Sequence, residues 1–177
     1  MKKILCVLLA IVCVLSLFGC SIGANQSEYQ VSFYYPRVKL NYGQEDGVIS
    51  SEMRDVQDRS EDLSYIIRLY LSGPAGSEFY SPFSEDVRLV SLESVDSQLH
   101  IVLDAKSMSQ NTQLQNTLAY ASLAKTCLNL TDNDSIHINT QQRIAEELPD
   151  IIFTRESLIF WDSAYAVADE TTTPQSE

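Results

Sequence analysis

The sequence predicts a small α+β domain, arranged β-α-β-β-α-β with two helices packed on a β-sheet. Three observations predict it. Leu63, Ile66, Ile67, Tyr70 and Leu71 recur at the spacing of one helical face. Two β-rich runs, 87–95 and 99–103, are separated by the turn-forming Asp96-Ser97. Between helix and hairpin lie a Gly73-Pro74 stop and a Ser81-Pro82-Phe83 loop. A helix and a hairpin that are each apolar on one face need covers. The simplest expectation is that they cover each other while the flanking segments complete the core.

The chain of 177 residues divides into five segments. Residues 1–19 read as a signal peptide: Lys2 and Lys3 form a basic start, and 4–18 is an apolar run interrupted by Ser16. That run falls short of the roughly 20 residues of a spanning helix. It ends in Leu17-Phe18-Gly19-Cys20, which resembles the bacterial lipobox, where cleavage precedes a cysteine acylated on sulfur. Phe18 is bulkier than that pattern's usual Ala, Ser or Thr. An ordinary secretory signal or a short membrane anchor is the alternative. Residues 20–28 are polar and aperiodic, the character of a lipid-anchored tether. The domain is expected over 29–144, a C-terminal extension over 145–163 and a disordered tail over 164–177.

Within the domain, Tyr29, Val31, Phe33 and Tyr35 alternate with polar neighbours as in a strand that Pro36 ends. Residues 38–57 are mixed, with Val48-Ile49 and 53–56 as short extended pieces. The acidic cluster 58–62 suits a helix N-terminus, capped by Ser60 or by an Asp58–Glu61 pair. Gly73 can take the left-handed conformation at the helix end, and Pro74 cannot continue the helix. In the second hairpin strand Leu99, Ile101 and Leu103 share one face, with His100, Val102 and Asp104 on the other. Residues 110–130 lack Gly and Pro and read as a second helix. Its stripe is Leu114, Leu118, Ala121 and Leu128, widened by Ala124 and Cys127, with Lys125 snorkelling beside it. Ile136, Ile138 and Asn139 suggest a last strand with His137 facing solvent. The apolar runs 151–153 and 158–161 suggest a terminal hairpin or an edge addition to the sheet.

Charge and cysteine content narrow the function. Residues 1–19 hold two lysines and no acids, leaving 10 basic and 24 acidic side chains and a net charge of −14. An acidic body argues against nucleic acid and against anionic membrane surface as partners. Membrane contact would be made by the lipid on Cys20. Cys6 and Cys13 leave with the signal peptide, so Cys127 has no disulfide partner and reads as a small buried hydrophobe. Catalysis needs a base, nucleophile or metal brought together. His100 and His137 sit inside strand patterns and read as outward polar residues. A metal pair from two adjacent strands is conceivable, but no HxH, HExxH or Cys/His spacing supports it. No catalytic residue, cofactor or metal is therefore expected. The tyrosines concentrate in the first half of the mature chain and read first as fillers of strands and core edges, with Tyr34 and Tyr80 kept as exposed candidates for recognition.

These residues together resemble the GerMN domain, named for sporulation and spore-germination proteins. The opening strand 31–36, the Glu52-x-Arg54 segment, and 69–74 running into Gly73-Pro74 are similar to its successive motifs. So are Ser81-Pro82-Phe83, the hairpin 88–103, the helix 121–128 with Thr126, and Ile136-His137-Ile138-Asn139. The resemblance covers roughly 31–144. Two departures stand out: Cys127 replaces a leucine, and Asp96-Ser97 replaces the usual Asp-Gly turn. A type I′ turn needs φ > 0 at both central residues, so Ser97 suggests another turn type or length. The resemblance implies a fold akin to ring-building motifs of extracytoplasmic assemblies, with Gly73, Pro74 and Pro82 as structural motif residues. It implies a non-enzymatic, lipid-anchored interaction module on the extracytoplasmic face of the cytoplasmic membrane. Its partners would be envelope proteins, or further copies of itself, in sporulation or germination. The alternative is an envelope lipoprotein that binds a small ligand.

Overall fold

Strand β1 (Gln30–Pro36) turns Val31, Phe33 and Tyr35 inward and pairs antiparallel along its length with β2 (Ile49–Asp55). These strands come from a computed structural model that describes residues 29–104 and 112–158. The expected leader, Cys20, the tether 20–28 and the tail 164–177 lie outside the described residues. β2 is continuous where the sequence suggested two short pieces. Only Ile49 is buried in it, so it lacks apolar alternation, and its ladder to β1 holds it extended.

Helix α1 (Leu63–Leu71) follows, and Asp62 rather than Ser60 or Asp58 caps it: its Oδ1 accepts from the Tyr65 N–H at 2.9 Å. Strands β3 (Leu89–Val95) and β4 (Gln98–Leu103) form the expected hairpin. Its turn corrects the expectation, because Asp96 and Ser97 lie at φ +49° and +62° with Val95 and Gln98 paired on either side. This is a two-residue turn of I′ type built without glycine. Ser97 is held there partly through its carbonyl, which accepts from the Asp134 N–H at 2.8 Å.

Helix α2 (Gln113–Leu130) starts three residues later than expected. Thr112 is extended at φ −67°, ψ 160°, and it forms a capping box with Gln115. Leu114 lies off the buried face, 49% exposed. From Leu118 to Leu128 only Lys125 is not buried, so the covered surface is wider than one stripe. Strand β5 (Ser135–Thr140) then runs parallel to β4, a pairing that requires the crossover α2 supplies. A short helix α3 (Gln141–Ala145) leads to β6 (Ile151–Thr154), which adds antiparallel to β5. The run 151–153 is therefore an edge addition to the sheet, while 159–161 of the second apolar run lie outside the described residues. A 3₁₀ turn, Glu156–Leu158, puts Leu158 into the core, so the extension is integral to the fold that far.

The six strands make two sheets, β1–β2 and β3–β4–β5–β6, and the class is α+β as expected. α1 and the hairpin share one core, but α1's principal aromatic partner is β1. The Tyr70 ring stacks on Tyr35 at 4.7 Å and 3°, with Phe33 and Phe83 at 6.0 and 6.3 Å. The Tyr35 hydroxyl donates to the Tyr70 carbonyl at 2.9 Å, and the Tyr70 hydroxyl pairs with Ser122 Oγ on α2 at 2.8 Å. Thr126 Oγ1 accepts from the Tyr34 N–H at 2.9 Å, joining α2 to β1. Each buried polar group in this triple junction of β1, α1 and α2 thus has a partner, as burial demands.

Candidate functional site

Two constellations stand out. The first surrounds the Gly73-Pro74 stop. Gly73 lies at φ +89°, a conformation that side-chain-bearing residues rarely take, and its N–H donates to the Tyr70 carbonyl. A Cβ there would sit 3.1 Å from Ser81 Oγ. β2 clasps the loop that follows. Glu52 accepts from the N–H groups of Ala75 and Gly76 at 3.0 and 2.7 Å, and Arg54 donates to the Gly73 carbonyl at 2.8 Å. The Arg54 guanidinium also lies over Phe33 at 5.5 Å. The acidic-x-arginine spacing has a mechanical meaning: alternate residues of one strand face project both side chains onto the same loop. Pro82 is buried and leads into Phe83 of the core, while Pro74 is half-buried. This constellation builds a scaffold.

The second lies on the larger sheet, on the face of β4 and β5 turned away from the core. β4 and β5 pair in the register His100↔His137, so the two imidazoles stand side by side with centroids 4.6 Å apart. Asp150, at the entry to β6, points Oδ2 at both. It lies 3.6 Å from His100 Nδ1 and 3.5 Å from His137 Nδ1. Its other oxygen accepts from Asn139 Nδ2 at 2.6 Å, and the Asn139 Oδ1 accepts from the Thr140 N–H at 2.9 Å, fixing the amide at both ends. Arg143 of α3 donates to the Pro149 carbonyl at 2.8 Å and holds the approach to Asp150. His137 Nε2 meets Ser135 Oγ at 3.1 Å. The His137 side chain is 12% exposed, against 37% for His100 and 33% for Asp150, so the cluster opens to solvent on one side.

Sequence reading treated the histidines as separate outward residues and did not include Asp150. The available signal was positional. Each histidine is flanked by two buried apolar residues, Leu99 and Ile101 or Ile136 and Ile138, in strands joined by one helix. Parallel pairing of equivalent positions then brings the rings together.

Other expected residues fall differently. Tyr34 and Tyr80 are half-buried, whereas Tyr29 and Tyr42 are 40% and 44% exposed. The Tyr34 hydroxyl is shifted upward by burial and then by nearby Asp46, and Lys125 snorkels over its ring at 4.8 Å to pair with Asp46 at 3.1 Å. Cys127 is fully enclosed, and burial pushes its thiol up to about 12, so it is no nucleophile at neutral pH. A cleft of about 480 Å³ opens among Arg37, Lys39, Asn41, Glu45, Asp46 and Glu78. Most of its lining residues are polar or charged, although the greater part of its exposed wall is apolar.

Against known families, residues 32–142 match Germane, described as sporulation and spore germination. The chain belongs to the Germane family. The matched Germane segment runs from β1 into α3, and contains the Gly73-Pro74 clasp, His100 and His137. Asp150 and β6 lie beyond it. Among solved structures, the Germane chain is similar to the tandem GerMN domains of the sporulation protein GerM from Bacillus subtilis. Identity there is 20% and the TM-score 0.49, over 77% of this chain and 49% of that one, so the chain spans about half of the tandem. It is also similar to a candidate lipoprotein from Clostridium perfringens, at 16% identity and a TM-score of 0.46, over 72% and 87% of the two chains. Curated proteins give no match. The family assignment rests on the matched segment. No helix among the described residues is long and apolar enough to cross a membrane.

Proposed function

We propose that this Germane protein is a lipid-anchored, non-enzymatic assembly module on the extracytoplasmic face of the bacterial cytoplasmic membrane. It acts in sporulation or spore germination by binding an envelope protein through the open face of its larger sheet. The observation that carries the reading is the composition of that face. Val95 and Ile152 stand 51% and 55% exposed on edge strands, on the side of the sheet opposite the core. Edge strands also offer backbone groups for pairing with another chain. Family membership supports the process, and the leader ending in Cys20 supports the anchor. The net charge of −14 after residue 19 favours a partner with a basic rim, and salt should weaken that contact.

The test combines anchor and face. Cys20→Ser should abolish acylation, and mass spectrometry of the mature wild-type chain should find lipid on position 20. An unmodified residue there overturns the anchor. Crosslinking in intact membranes should capture one basic envelope protein with the wild type and lose it with Ile152→Glu at an unchanged melting temperature. Capture of a second copy of this chain instead would make the face a self-association surface. Crosslinks indifferent to charge at Val95 and Ile152 would overturn the assignment of the face.

A further inference from the structure

The geometry points to a site for one divalent cation of the zinc class, held by His100 Nδ1, His137 Nδ1 and Asp150 Oδ2. Both imidazoles aim the same nitrogen at one carboxylate oxygen, at 3.6 and 3.5 Å. Those separations are too long for hydrogen bonds, which lie at about 2.7–3.2 Å. They are right for donors sharing a metal: bonds of about 2.0–2.2 Å at a tetrahedral angle put neighbouring ligand atoms about 3.3–3.6 Å apart. Each of the three residues places a ligand atom within 4.8 Å of the others'.

The surrounding contacts are those a metal site needs. With Nδ1 as ligand, His137 keeps its proton on Nε2 and donates it to Ser135 Oγ at 3.1 Å. Asp150 uses one oxygen toward the histidines while Asn139 holds the other at 2.6 Å. A histidine and a carboxylate whose remaining polar atoms are tied down are oriented ligands. Three donors, two from adjacent strands and one from the loop entering β6, open to solvent on one side, leave a coordination position for water or for Glu93, which pairs with His100 across β3–β4. Two imidazoles and one carboxylate select zinc, cobalt or nickel over magnesium and calcium, which prefer all-oxygen shells. Bound metal would tie β4, β5 and the entry to β6 together. The site stands whether or not the open face binds an envelope protein.

His100 and His137 are the only histidines in the chain, which makes the test clean. Full-length protein is purified in detergent without an affinity tag, stripped with chelator and titrated with Zn²⁺, then with Co²⁺ and Mg²⁺. The expected result is one Zn²⁺ per chain and a raised melting temperature. Both histidine side chains should shift in imidazole ¹⁵N spectra to the Nδ1-ligated form. Co²⁺ should give a visible spectrum without thiolate charge transfer, and Mg²⁺ should do nothing. His100→Gln and Asp150→Asn should abolish binding, and Ser135→Ala, which removes no ligand, should weaken it about ten- to hundredfold. Circular dichroism of the stripped variants confirms that each is folded. Zn²⁺ binding that survives His100→Gln, a response from only one imidazole, an equal response to Mg²⁺, or no binding at all overturns the site.

Discussion

The two faces of the β4–β5 pair are built from alternate residues of the same strands and have opposite physical roles. On one face Leu99, Ile101, Ile136 and Ile138 are at most 1% exposed. On the other, His100 and His137 stand between a carboxylate and solvent. The covered face is specified by a property any apolar residue of the right size shares, so it supplies stability. The open face is specified by particular donor atoms, so it can supply recognition. Substitutions should therefore separate the molecule into a side that determines folding and a side that leaves folding alone.

The strongest way to break that comparison is at Ile138, which is 0% exposed and belongs to the same strand as His137. Ile138→Ala should cost about 2–4 kcal/mol in urea unfolding, the transfer term plus the cavity left behind. A cost under about 1 kcal/mol would mean that the covered face repacks freely. Gly73 seals the covered side at the other end of the core. Gly73→Val puts a β-branched side chain at φ +89° against Ser81, and should cost about 1–2 kcal/mol. A thermal melt that does not move would show that the Glu52–Arg54 clasp, not the glycine, holds the loop.

Much of this division was legible in the sequence, and the illegible parts share a cause. Alternation in 99–103 and periodicity in 63–71 report burial directly, so both elements were readable. The cap of α1 was not, because four acidic or hydroxyl residues within 58–62 compete for one position, which Asp62 takes. The hairpin turn was misread because Ser97 carries a Cβ, and local preference argued against φ +62°. Strand pairing and the Asp134–Ser97 backbone bond override that preference. Asp150 was invisible because its role arises only when β6 joins β5, and nothing local in 145–150 announces that. The family match ends at residue 142 and so gave no guidance there either.

Cys127 sharpens the comparison through pH, since α2 encloses it on the covered side. Its thiol pKa is raised from 9.0 to about 12 by burial. The unfolded chain releases this proton above about pH 9 while the folded chain keeps it. Stability from this group is therefore whole below pH 9 and falls as pH rises toward 12, by about 1 kcal/mol between pH 9 and 10. Cys127→Ala should flatten the alkaline limb of a stability–pH curve by about one proton's worth of slope, with the tyrosine contributions common to both curves except at Tyr70, whose raised pKa owes a minor part to Cys127. Parallel limbs would place the thiol in contact with water. A smaller effect is expected at the turn, where Ser97→Gly removes a Cβ from a left-handed position. It should stabilise the hairpin by about 0.5–1 kcal/mol, unless the entropy of the freer unfolded chain cancels the gain.

Ile152 gives the smallest effect and the sharpest contrast, because it is the same residue type as Ile138 on the other side of the sheet. It pairs with His137, whereas its neighbour Ile151 pairs with Ile138. At 55% exposure it has little apolar surface left to lose on unfolding. Ile152→Ser should change unfolding free energy by less than about 0.5 kcal/mol, the range of surface substitutions that remove no cap, pair or packed side chain. β-propensity pulls slightly toward destabilisation, because isoleucine suits a strand better than serine, and that difference is also a few tenths of a kcal/mol on an edge. The measurement is a urea midpoint compared at an unchanged m-value with wild type and Ile138→Ala. A loss approaching that of Ile138→Ala would mean that the open face is covered in solution by another part of the chain or by a second copy. A dilution series of the same melt would separate those two, since only association depends on protein concentration.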